Sequence, residues 1–169
     1  MTFDKQVSVV ARSCNYHAQA IHRISHLLTM DLAQTLACSL ILSRIDYCNA
    51  VLHGTPSGTI HKLQRVQNNA ARIVHQAPRR SHTHPLLKEL HWLPIEQRIS
   101  YKLAVLTFKI RHTAAPSYLS RYIKARSGTR SLRSLAIPFL EVPFRRTSIG
   151  KRSFSCSACN LEVSASCYH

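Results

Sequence analysis

Apolar residues recur at three- and four-residue steps through the first half of the chain, the rhythm of helices that bury one face. Val7, Val10, Cys14, Ala18, Ile21, Ile24 and Leu28 form the first stripe, with Arg12, Asn15, Gln19, His22 and Arg23 on the other side. Thr29 and Asp31 then offer side-chain oxygens suited to capping a new helix. Leu32, Leu36, Leu40 and Ile41 continue the rhythm towards Leu52. Gly54 is a stop signal, because glycine accepts the left-handed backbone that closes a helix. Thr55-Pro56 predicts the next start, with threonine as cap and proline at the first helical position. Ile60, Leu63, Val66, Ala70, Ile73 and Val74 then oppose His61, Arg65, Asn68, Arg72 and His75, with Lys62 and Asn69 flanking the polar stripe. This is the clearest amphipathic helix in the chain.

The run Pro78-Arg79-Arg80-Ser81-His82-Thr83-His84-Pro85 breaks the pattern and predicts a basic loop. A short helix is expected over 85–91, then a turn at Trp92-Leu93-Pro94. Between Leu90 and Leu93, Trp92 reads as a core anchor rather than a platform for stacking bases. Residues 95–112 predict a long helix with Ile99, Leu103, Leu106 and Ile110 inward and Arg98, Lys102 and Lys109 on another face. Pro116-Ser117-Tyr118-Leu119 predicts one more short helix. After Ser127, Gly128, Pro138 and Pro143 interrupt any helix, and 137–142 suits a short strand. Arg130, Arg133, Arg145, Arg146, Lys151 and Arg152 crowd into this stretch, and beyond Phe154 poor order is expected. The fold class is therefore mainly α: a small helical bundle of about five helices, followed by a loosely ordered basic C-terminal segment. The expected limits are a helical region over 1–126, a basic loop-rich segment over 127–155 and a disordered tail over 156–169.

Charge changes the picture more than composition does. Lys and Arg number 23 against 7 Asp and Glu, a formal net charge of +16. Such an excess repels itself in the compact state and attracts polyanions, of which nucleic acid is the commonest. A soluble basic protein with no fixed partner is the plainer alternative. The 45% hydrophobic content suffices for a core, whereas 4 glycines leave little for phosphate-cradling loops. No run of about 18 apolar residues predicts a membrane span. The opening MTFDKQVSVV lacks the basic and apolar regions of a secretory leader. The expected location is intracellular, nucleus or cytoplasm, and not secreted; in that reducing setting structural disulfides are not expected. Cys14, Cys38 and Cys48 sit in helical patterns and read as buried small hydrophobes.

Candidate catalytic chemistry is thin. The 11 histidines lack the orienting carboxylates that nucleophilic or acid–base work needs, so the chain is not expected to be an enzyme, and no cofactor is expected. Asp46, in Ser43-Arg44-Ile45-Asp46-Tyr47, is expected to pair with Arg44 or a nearby backbone donor and hold one helix against the next. Cys156, Cys159, Cys167 and His169 are the four residue types of a tetrahedral zinc site, but their spacing fits no zinc ribbon or knuckle. Free thiols are the better reading, and no metal is expected.

Three blocks, SLILSRIDYCNAVLHG (39–54), LQRVQNNAARIV (63–74) and LKELHWLPIEQRISYKL (87–103), occur in an order and spacing that resemble the C-terminal part of jockey-like non-LTR retrotransposon reverse transcriptases. APSYLSRYI (115–123), TRSLRS (129–134), GKRSFS (150–155) and the N-terminal TFDKQV and RSCNYHAQAIHRI extend the resemblance to about Ser155. It implies a thumb-like and following region downstream of the polymerase palm. The family's chemistry uses palm aspartates holding two metal ions, one pair in a YxDD-type motif. This sequence has only Asp4, Asp31 and Asp46, none adjacent, so no catalytic residue carries over. After GKRSFS the family's AAPxxWNxLP-like segment is replaced by CSACNLEVSASCYH, which points to a shifted reading frame or a truncated copy. A thumb-like position would set Lys62, Arg65, Arg72, Arg79 and Arg80, with Arg98 and Lys102, along RNA or DNA phosphates. The partners implied are RNA or DNA and the missing palm domain, with no membrane. A degenerate product without independent function and a helical protein-interaction module are the alternatives.

Overall fold

The computed structural model describes residues 3–47, 49–123, 140–141 and 143–159. The chain divides into two compact units, Met1–Ile99 and Ser100–His169. The sequence-based limits at 126 and 155 both fall inside the second unit. The mainly α expectation holds, and the described residues contain no strand beyond an isolated bridge at Leu140.

In the first unit, α1 (Asp4–Ile24) buries Val7, Cys14, Ala18 and Ile21. A 3-10 turn, Ser25–Leu27, leads to α2 (Met30–Ala37). Thr29 caps α2 as expected, its hydroxyl accepting from the Leu32 amide at 3.5 Å. The helix widens into a π turn, Cys38–Leu42, and ends as α3 (Ser43–Asp46). Here the predicted stripe is displaced. Leu32 is 55% exposed and Leu36 and Leu40 are half-buried, while Ala33, Ala37, Ile41 and Ile45 face inward. Small residues at the contact allow α2 to approach α4 closely, so helix packing outweighs side-chain hydrophobicity.

Gly54 takes φ 69 and ends a 3-10 turn, Asn49–Leu52, as a glycine can. The next start differs from expectation. Pro56, not Thr55, is the N-cap of α4 (Ser57–Val74), and the Thr55 hydroxyl donates backwards to the Leu52 carbonyl at 2.7 Å. α4 is the hub of the unit, and α1, α2 and α5 (Thr83–Glu89) all pack on it. It buries Leu63, Val66, Ala70, Ile73 and Val74 as predicted, together with Thr59, Gln67 and Ala71. Ile60 is only half-buried. α5 begins two residues before the predicted start, with Pro85 in its first turn, where a missing amide N–H costs no helical hydrogen bond.

Both α4 and α5 end on a left-handed residue that is not glycine. Gln76 takes φ 50 and His91 takes φ 55. The Ala77 amide donates to the Arg72 carbonyl at 2.9 Å, and the Trp92 amide donates to the Leu87 carbonyl at 2.8 Å. These paired closures satisfy carbonyls that a helix end would leave open. The second closure turns Trp92 into the core, where it is buried as expected.

The turn after Trp92 is fastened to α4 through side-chain amides. Gln67 is fully buried, and its Nε2 donates to the Leu93 carbonyl at 2.8 Å. Gln64 donates to Gln67 Oε1 at 3.0 Å and to Asn68 Oδ1 at 2.9 Å, and accepts from the Ile95 amide at 2.9 Å. A buried amide is stabilising only when its hydrogen bonds are made, and here they are. The network links the LQRVQNNAARIV block to the LHWLP block and starts α6 (Ile95–Thr113).

In the second unit, α6 buries Leu103, Thr107 and Ile110 and leaves Leu106 half-buried. Short helices α7 (Ser117–Ser120) and α8 (Ser148–Lys151) follow. α7 lies where a short helix was predicted. Thr147 Oγ1 accepts from the Gly150 amide at 3.1 Å. Residues 154–159 are helical, five of them beyond Phe154, where poor order was expected. Ala158 and Cys159 close on Leu140, with Ile123 and Phe154 against them, so a local apolar contact orders what periodicity alone does not. Of the proposed strand over 137–142, residues 137–139 and 142 lie outside the described residues, as does Cys48.

Two stability outcomes follow. Gln67→Leu keeps the volume but strands the Leu93 carbonyl and the Gln64 amide, and should cost about 1–3 kcal/mol. His91→Gly removes the penalty of a left-handed non-glycine residue and should add about 0.5–1 kcal/mol. Urea midpoints of the two variants should move in opposite directions. A Gln67→Leu midpoint equal to that of the unaltered chain would remove the amide network from this account.

Candidate nucleic-acid interface

The hydrophilic sides of α1 and α4 meet at the Asp4–Lys62 pair and diverge beyond it. They leave an open groove of about 790 Å3 along their length. α1 supplies Ser8, Ala11, Arg12, Asn15, Tyr16 and Gln19 as one wall. α4 supplies Lys62, Arg65, Val66 and Asn69 as the other, and Arg79 closes one end from the following loop. A smaller cleft of about 260 Å3 continues it past Gln19, Asn69 and Arg79 to His22, Arg72 and Gln76. The helix repeat explains the arrangement. With Gln67 pointing inward, positions 65 and 69 lie about 200° round the helix and must face outward.

Of the seven cations proposed from sequence, four line these clefts: Lys62, Arg65, Arg72 and Arg79. Arg72 also has a structural duty, its Nε donating to the Ser81 carbonyl at 3.2 Å and fixing the loop that carries Arg79. Arg80 is exposed in that loop without lining either cleft. Arg98 is elsewhere. Its guanidinium grips the Asp46 carboxylate with two nitrogens, Nε at 2.9 Å from Oδ1 and Nη2 on Oδ2. The sequence points Asp46 to Arg44 or a nearby backbone donor as the means of holding one helix against the next; the side chain that grips it across helices is Arg98. Arg44 instead donates to Ser13 Oγ at 2.9 Å, and Asp46 also accepts from Asn49 Nδ2 at 3.1 Å. Arg44 sits two residues before Asp46 on the same helix, about 200° round it, so the two side chains do not face each other, whereas Arg98 approaches from α6 and grips the carboxylate with two donors. Lys102 lies in the second unit and is half-buried.

Missing from the sequence-based site are Arg12, Tyr16 and the amides Asn15 and Gln19 on one wall and Asn69 on the other. Arg12, Asn15 and Gln19 were legible as the polar side of α1, but only the tertiary pairing sets them opposite Arg65. Among the described residues, no carboxylate forms an ion pair with Arg12, Arg65 or Arg79. Lys62 is the exception. Its Nζ meets Asp4 Oδ1 at 2.8 Å and Oδ2 at 2.9 Å, both side chains staying exposed. The hydrogen bond from Lys62 is the main cause that holds the Asp4 carboxyl below its ordinary value. A carboxyl so depressed adds stability above its unfolded pKa, and that stability is lost as pH falls through the folded one.

The zinc candidates do not assemble among the described residues. Cys156 Sγ donates to the Pro143 carbonyl at 3.6 Å, and Cys159 Sγ lies 3.4 Å from the Glu141 carbonyl and 2.9 Å from that of Ser155. Both thiols are buried and unbridged. Cys167 and His169 lie outside the described residues. No group of three or more His, Cys, Asp or Glu side chains is gathered among the described residues. Cys14 is buried as expected and Cys38 is half-buried. Burial raises the pKa of both thiols, a direction that disfavours the reactive thiolate. No helix among the described residues is long and apolar enough to cross a membrane.

Two substitutions separate the groove from the fold. Asp4→Asn leaves Lys62 without its carboxylate and should raise the salt needed to elute the protein from a phosphate resin. Acidification below the Asp4 titration should act in the same direction. Arg98→Ala should leave that elution unchanged and lower stability by about 1–3 kcal/mol, because Asp46 loses a charged hydrogen-bond partner. Earlier elution of Asp4→Asn would show that Lys62 takes no part in anion contact. No protein-family model matches this chain, and no curated protein or solved structure matches it either.

Proposed function

We propose that the groove between α1 and α4 binds the phosphate backbone of RNA or DNA without sequence preference. The chain is then a fragment from the region after the palm of a non-LTR retrotransposon reverse transcriptase. It carries no catalytic machinery of its own and acts inside the cell, in nucleus or cytoplasm. The observation that carries the binding reading is the set Arg12, Lys62, Arg65 and Arg79 along one groove, with Asp4 as a carboxylate at its edge. Guanidinium groups match phosphate oxygens with paired donors, and released counterions supply the driving force. The net charge of +16 supports the same partner class. The family origin rests on the three ordered sequence blocks, and the absence of paired aspartates sets the fragment outside the palm.

A second reading has its own support. Ile24, Leu27, Met30 and Leu32 are all exposed, with Leu27 at 75%. Four large apolar side chains so close in sequence favour a helical interaction module whose partner, on this reading the palm domain, covers them.

Titration against single-stranded RNA and a primer–template duplex at several salt concentrations tests the first reading. Four phosphate contacts predict that log affinity falls with log salt at a slope of about −3 for a single strand. Arg65→Ala and Arg12→Ala should each flatten that slope by about 0.7. Binding indifferent to salt would overturn the phosphate reading, and no binding at low salt would leave an inert fragment or an interaction module.

A further inference from the structure

The phosphate reading accounts for the cations of the groove but not for the rest of its lining. Tyr16 is 71% exposed although it lines the groove. Its ring makes a T-shaped contact with the His17 ring, with centroids 5.5 Å apart and an interplanar angle of 76°. At 71% exposure, most of the Tyr16 surface is still open to a ligand. Asn15, Gln19 and Asn69 flank it with amide groups that both donate and accept. Base faces inside a duplex are already stacked on one another, so an exposed aromatic ring has no open base face to meet there. On an unpaired strand, every base offers a face for stacking and an edge for hydrogen bonds.

Resting on the phosphate reading of this groove, we infer that its substrate class is single-stranded nucleic acid, with a base stacked on Tyr16 and the backbone held by Arg12, Lys62 and Arg65. The two helices then divide the labour. α4, with Arg12 opposite, holds phosphates, and α1 presents the stacking face. Recognition is tolerant of sequence, because stacking asks only for a flat base.

The test uses the full chain, a fluorescent twelve-nucleotide oligouridylate, a hairpin duplex of equal charge and inorganic polyphosphate as competitor. Tyr16→Ala should weaken oligouridylate binding about 5- to 100-fold, the range for one stacked base. It should leave displacement by polyphosphate unchanged, and Tyr16→Phe should keep the affinity of the unaltered chain. Arg65→Ala should weaken both ligands. The hairpin should bind at least about tenfold more weakly than the single strand. Equal oligouridylate affinity for Tyr16→Ala and the unaltered chain would overturn the inference while leaving the phosphate reading intact, as would tighter binding of the hairpin. Failure of both polyphosphate and oligouridylate to bind would remove the phosphate reading and this inference with it.

Discussion

The amide of Gln67, closed off from solvent, holds the Leu93 carbonyl, and much of the first unit is arranged around that bond. The fully buried Gln67 amide would otherwise lack an acceptor for this N–H, at a cost comparable to a whole hydrogen bond. Gln64 completes the arrangement by accepting from the Ile95 amide, one of the first-turn donors that α6 leaves unpaired. One face of α4 thus reads both strands of the turn. The turn in turn seats Trp92 and sets the point at which α6 departs.

The same bond has a consequence on the opposite side of α4. A helix that turns Gln67 inward must turn Arg65 and Asn69 outward, since two residues span about 200°. The buried amide therefore orients the cationic wall of the groove. The left-handed ends at Gln76 and His91 work alike. Gln76 stops α4 and also reaches Ser25 at the end of α1 with a 2.8 Å hydrogen bond, which ties the two walls together at one end. At the other end the tie is the Asp4–Lys62 pair. The groove is held at both ends and unpaired between them.

Electrostatics fixes what such a groove can hold. Arg12, Arg65 and Arg79 converge without a carboxylate partner among the described residues. Their mutual repulsion is tolerable because the site is open to water, and it is relieved when an anion enters. Arg98 shows the contrasting solution. Half-buried beside Asp46, it is committed to an internal pair and serves the fold. Two arginines of similar appearance in the sequence thus have opposite roles, and the distance to a carboxylate separates them.

The sequence by itself determined the longer helical elements and the inward face of α4, because a 3.6-residue apolar repeat over many turns admits one burial pattern. It also determined the excess of positive charge, the Trp92 anchor and the absence of adjacent aspartates. It did not determine the face of α2, where Ala33 and Ala37 lie inward and Leu32 outward, because closeness of approach is a property of two helices and not of one. Nor did it determine the partner of Asp46, which is 52 residues distant, or the order of residues 154–159, which rests on Leu140. The groove belongs to the same class. Arg12 was legible only as part of the polar side of α1, and Tyr16 carried no signal of its own, until the packing of α1 on α4 set them opposite Arg65. Local periodicity is written along the chain, whereas a site made from two elements exists only once long-range packing has brought them together.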